Sequence, residues 1–145
     1  MDNKEESTQL IQTFFIPWIL PGANEIIKSA RRTYKPNIRS GSQYSTIKKQ
    51  QTKEIAKIIL ATRIKKIDKV FLNIIWIEQN RKRDPDNIAA GIKFILDALQ
   101  LANVIENDGW NNILGWTNEF KTASPIGVHI TLLSPGWRNW YTQGT

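Results

Sequence analysis

Asp84 and Asp86 stand two residues apart, directly after Arg81, Lys82 and Arg83. In an extended chain, residues i and i+2 point to the same side. Pro85 between them favours that extended form at Asp84. Two carboxylates on one side can share a hard cation of the magnesium type, which takes oxygen ligands and keeps several waters. The three cations upstream would draw a phosphate towards such an ion. The same tetrapeptide, Asp84-Pro85-Asp86-Asn87, is equally a turn and a helix cap, so the pair alone leaves both readings open. Asp97 falls inside an amphipathic stretch and can pair with Lys93 at i, i+4, which assigns it to helix structure. Glu106 is read as a solvated residue. Asp108 lies in a turn, Asn107–Gly109, either as a turn residue or as a further ligand.

These residues need a scaffold, and the hydropathy pattern predicts one. Thr13–Leu20 is rich in aromatic and branched residues and reads as a strand ended by Pro21–Gly22. Asn24–Arg32 reads as a short helix, and residues 33–43 as a basic loop. Ser45 opens a helix running to Thr62, with Ile47, Ile55, Ile58 and Ile59 on one face and lysines over the remainder. The nearly continuous apolar run of Lys69–Glu78 predicts a central strand covered on both faces. Residues 87–102 read as one helix with the stripe Ile88, Ile92, Ile95, Leu99, stopped at Asn103. Trp110–Phe120 and Gly127–Leu133 read as two strands of a hairpin. The sum is a small α+β domain over residues 12–134, with a mixed sheet of about four strands and two principal helices. A mobile arm (1–11) precedes it and a tail (135–145) follows.

Composition narrows the chemistry. The 145 residues contain no cysteine and one histidine, His129. Disulfide frameworks, thiolate metal sites and thiol catalysis are excluded. His129 alternates with Val128 and Ile130 and reads as a surface or satisfied histidine. The six tryptophans read as core or dimer contacts rather than base-stacking platforms. No apolar run approaches the ~20 residues of a membrane helix, and the start MDNKEEST does not read as a signal peptide. A soluble, cytoplasmic protein without a membrane partner is expected.

The net charge of +7 points to a polyanionic partner. From Lys28 to Lys69 there are 13 basic and two acidic residues, whereas Glu78–Asp108 holds six acidic and four basic. A basic body around an acidic island suits a metal-dependent nuclease. Arg31, Arg32, Lys35 and Arg39 would hold the arms of a nucleic acid. Lys48, Lys49 and Lys53 would extend that surface, with Arg81, Lys82 and Arg83 beside the acidic pair.

The ordered set over residues 81–110 resembles the RusA family of Holliday-junction resolvases, magnesium-dependent homodimeric endonucleases of bacteria and phages. That family carries Asp-x-Asp-Asn, a lysine, a helix ending in Asp-Ala-Leu, and a third catalytic aspartate. Here these are Asp84-Pro85-Asp86-Asn87, Lys93, Asp97-Ala98-Leu99 and Asp108. PWILPGANE, residues 17–25, is similar to the family's Pro-Trp-x-x-Pro segment. Three additional residues separate Asn87 from Lys93 relative to the shortest members. At 3.6 residues per turn they return the lysine to nearly the same face of a continuous helix.

The resemblance implies a RusA-like fold and a homodimer acting on branched DNA such as a four-way junction. It implies catalysis by Asp84, Asp86, Asp108 and Lys93. The three aspartates would hold Mg²⁺, with Mn²⁺ able to substitute. The role would be recombination, repair or phage DNA processing. Two other readings of the residues stay open: a non-catalytic basic nucleic-acid-binding protein, and a metal-dependent ribonuclease.

Overall fold

The computed structural model describes residues 9–32 and 42–135. Strand β1 (Leu10–Ile16) leads to helices α1 (Ala23–Arg32) and α2 (Ser42–Thr62). Strand β2 (Val70–Glu78) is followed by α3 (Pro85–Ala89) and α4 (Ile92–Leu101), then by β3 (Ile113–Thr122) and β4 (Gly127–Ser134). The strands form one mixed sheet in the order β1-β4-β2-β3. The fold is thus a small α+β domain. No helix among the described residues is long and apolar enough to cross a membrane.

Alternation sets the layers. Phe14 and Ile16 of β1, Val70, Leu72, Ile74 and Trp76 of β2, and Val128, Ile130 and Leu132 of β4 are buried. They form one core with Ile55 and Ile59 of α2 and Phe94, Ile95 and Leu99 of α4. Phe71, Asn73 and Ile75 on the other face are only half-buried. The central placement of β2 is therefore as expected, but its cover is one-sided among the described elements. His129 shares that open face, exposed, with its ring tilted against the Phe15 ring at 4.5 Å between centroids.

The expected β3–β4 hairpin does not form. β3 pairs parallel to β2, while β4 lies antiparallel between β1 and β2. Burial explains the choice: β4 alternates apolar residues inward, whereas β3 carries Thr117, Asn118, Glu119 and Lys121 and is mostly exposed, as an edge strand should be. A parallel neighbour requires a crossover of a dozen or more residues, and α3 with α4 supply it.

Boundaries also differ, and α2 begins at Ser42 rather than Ser45. β1 starts at Leu10, inside the segment read as an arm, and stops before Pro17, which has no N–H for the ladder. β3 begins at Ile113 rather than Trp110. The single helix over 87–102 is two helices, broken at Ala90–Gly91. There the backbone tightens, with Gly91 N–H donating to the Ile88 carbonyl at 3.1 Å and Phe94 N–H to the Gly91 carbonyl at 3.1 Å. A Cβ at Gly91 would sit 3.0 Å from Leu20 Cβ and 3.2 Å from the Trp76 ring. The helix stop at Asn103 is as expected. Asn103 takes φ 62°, and its N–H and that of Val104 close on the Gln100 and Leu99 carbonyls, both at 2.9 Å.

Candidate active site

Two segments about sixty residues apart in sequence lock together at the end of β2. Glu78, the last residue of β2, is buried. Arg83 grips it with two bonds, Nε to Oε1 at 3.1 Å and Nη2 to Oε2 at 2.8 Å. The same guanidinium donates to the Leu20 carbonyl at 3.1 Å and meets Glu25 Oε1 at 3.4 Å. Glu25 Oε1 in turn accepts Gly22 N–H at 2.6 Å. Buried Asn87 accepts Asn24 N–H on its Oδ1 at 2.8 Å. Gly22 is required by this approach, because a Cβ there would meet the Asn87 carbonyl at 2.5 Å. Residues 20–25 and 83–87 are thus one structural unit.

This arrangement changes the part played by Arg83. Hydrogen bonding to Glu78 is the chief influence raising the pKa of its guanidinium, and the Glu25 charge adds to it. Its side chain is largely buried and committed to protein partners, unlike Arg81 and Lys82, which are exposed.

Asp84 is the N-cap of α3, extended at φ −74° and ψ 154°, as Pro85 demands. Its backbone carbonyl accepts Ile88 N–H at 3.0 Å. Its carboxylate makes no capping bond, so the cap reading does not account for the side chain. Asp86 Oδ1 accepts the Asn87 N–H at 2.9 Å, and both aspartates are exposed. Asp84 lines a cavity of about 440 Å³ with Arg81, Ile88, Phe120 and Lys121. The cavity lies at the carboxyl ends of the parallel pair β2–β3, where Ile77 is in register with Lys121. Ligands of open α/β sheets favour that position. Lys121 was not among the residues the sequence pointed to. Only the parallel pairing, invisible in a reading that made β3 half of a hairpin, brings it here.

Lys93 and Asp108 meet at a second cluster. Lys93, in the first turn of α4, places its Nζ 3.4 Å from Asp97 Oδ1 and 3.6 Å from Asp108 Oδ2. Because the helix is broken, Asn87 and Lys93 do not lie on one continuous helix as expected. The i, i+4 pair with Asp97 is present, but Asp97 is more than a surface partner. Its side chain is only 15% exposed, with Oδ2 3.7 Å from Lys48 Nζ of α2 and without a hydrogen bond. Partial burial works to lower the Lys93 pKa, and the charges of Asp97 and then Asp108 outweigh it, leaving the ammonium above its ordinary value.

Lys48, Lys49 and Lys53 line a groove of about 670 Å³ together with Asp97 and Gln100. Three of the proposed phosphate-binding residues are therefore brought together on α2. Arg31 and Arg32 close α1. Lys35 and Arg39 lie outside the described residues. Among the described residues, no three His, Asp or Glu side chains gather as a metal-binding group. Asp84 and Asp86 by themselves still offer the hard oxygen donors that suit magnesium, which commonly uses one or two carboxylates. No protein-family model matches this sequence, and a comparison with curated proteins finds no match.

Proposed function

We propose that this chain is a metal-dependent endodeoxyribonuclease of the Holliday-junction resolvase type, cutting phosphodiesters in branched DNA. The observation that supports the reading best is the Asp84 carboxylate. It is free of the capping bond its position invites, and it shares a cavity with Arg81 and Lys121. Asp84 and Asp86 would hold Mg²⁺ or Mn²⁺, while Asp108, against Lys93, is not gathered with them into a three-carboxylate group among the described residues. A bound ion of this kind supplies an acidified water and neutralises charge on the scissile phosphate.

The chain's own residues do the remainder. Asp97 and Asp108 position the Lys93 ammonium, which would donate to the oxygen on which negative charge develops. Arg81 and Lys121 bind the phosphates flanking the cut. Lys48, Lys49 and Lys53 hold an arm of the substrate by displacing its counterions. A homodimer would present two such sites about a two-fold axis, matching the near two-fold symmetry of a four-way junction.

The test is cleavage of a synthetic four-way junction in Mg²⁺, beside a linear duplex and a single-stranded RNA. Selective cutting of the junction supports the proposal. Cutting of RNA alone makes the chain a ribonuclease, and binding without cutting makes it a non-catalytic DNA-binding protein.

A further inference from the structure

Trp110 is 97% exposed. A ring of this size normally finds cover in a core or an interface, and this one is held out by a well-braced backbone. Gly109 N–H donates to Asn107 Oδ1 at 2.9 Å. The Gly109 carbonyl accepts the N–H groups of Asn112 and Ile113 at 3.1 and 2.9 Å. Asn112 is buried at 5% and fixes the base of the turn, donating to the Asp68 carbonyl at 2.7 Å and accepting Asn107 N–H at 3.3 Å. The turn is braced on both sides of the residue whose side chain stands in solvent.

The surroundings indicate what would cover the ring. Lys69 Nζ donates to the carbonyl of Asn111, the next residue, at 2.9 Å. Asp108, two residues earlier, holds Lys93 at 3.6 Å. Its neighbours along the turn are Asn107, Asp108, Gly109 and Asn111, so the sequence around the exposed ring is polar. A protein interface or a bilayer would ask for a contiguous apolar patch. A single aromatic near two lysines, Lys69 on a backbone carbonyl and Lys93 shared with Asp108, suits an unstacked nucleobase, because every base has a π-face.

We infer that Trp110 is a base-stacking residue, taking an unstacked nucleobase of a strand whose phosphates pass Lys69 and Lys93. The inference rests on the proposal that the substrate is branched DNA. Junctions and forks offer unstacked bases at the branch, and linear duplex does not. It assigns to Trp110 the discrimination between the two.

The experiment measures binding in EDTA, so that it does not depend on cutting. Wild type, Trp110→Ala and Trp110→Phe are titrated with a four-way junction, a fork and a linear duplex, each carrying 2-aminopurine at or near the branch position. Melting temperature and sedimentation are recorded for each variant. Trp110→Ala should fold normally, bind junction and fork about tenfold more weakly, and bind duplex unchanged. Trp110→Phe should recover most of the affinity, and the 2-aminopurine signal should change with wild type and not with the alanine variant. Equal junction affinity in wild type and Trp110→Ala overturns the inference, as does an equal loss on duplex. Dissociation of a wild-type oligomer by Trp110→Ala would also overturn it, since the ring would then be covered by a second copy. Wild type that binds junctions through Trp110 but never cuts them in Mg²⁺ would leave this inference standing and remove the nuclease reading. Normal cutting with no role for Trp110 would do the reverse.

Discussion

The carboxylate of Asp84 and the guanidinium of Arg83 are sequence neighbours with opposite duties. Asp84 makes no capping bond. Asp84→Asn should therefore keep its melting temperature close to that of wild type while losing Mg²⁺-dependent junction cleavage, checked by thermal melts beside a cleavage assay. Unchanged cutting would remove Asp84 from the site. Arg83 holds buried Glu78, and breaking such a pair by deleting one partner typically costs roughly 3 kcal/mol. Urea unfolding should show that loss for Arg83→Ala and almost none for exposed Arg81→Ala. The sequence could announce both residues but not distinguish them. Asp-Pro-Asp-Asn after three cations is visible in the string, whereas the partner that neutralises Arg83 sits at the end of the preceding strand. Asp97 is a similar case: its spacing to Lys93 is legible, but Lys48 reaches it from another helix.

At the scale of the element, the break at Gly91 decides where Lys93 stands. Gly91→Ala would ordinarily gain helix propensity, up to ~1 kcal/mol inside a helix. Gly91 lies at a helix junction, and the new methyl would press on Leu20 and on Trp76, whose indole is fixed by its bond to Asn118 at 2.8 Å. Overpacking of this kind costs about 1–3 kcal/mol, so the variant should be less stable than wild type by chemical denaturation. The groove on α2 makes a second prediction. Removing Lys49 or Lys53 should weaken DNA binding across sequences and make the slope of log K against log[salt] shallower by about 0.9 for each phosphate no longer neutralised. A slope identical to wild type would take those lysines off the DNA. Periodicity made these elements readable: α2, β2 and the stop at Asn103 follow from patterns a few residues long. The break did not follow, because the crowding at Gly91 comes from Leu20 and Trp76, distant in sequence.

For the whole molecule, strand order was the feature least legible. Two strands joined by a short loop suggest a hairpin, and the polar run of β3 marks it as an edge without naming the strand it pairs with. The pairing has a consequence in time. β4, the last strand of the described fold, occupies a central position and joins β1 to β2. A chain emerging from the ribosome exposes every proposed catalytic residue before the strand that closes the sheet exists. Until β4 arrives, β1 has no partner strand and β2 shows a bare edge, the type of surface that invites association with other chains. A chain cut after Ile126 should therefore not fold at all, rather than fold with a smaller sheet, and its amides should exchange without protection. Strong protection of β2 in that fragment would show that the sheet can assemble from its edges. Otherwise the proposed site is not assembled until the last described strand, β4, has been made.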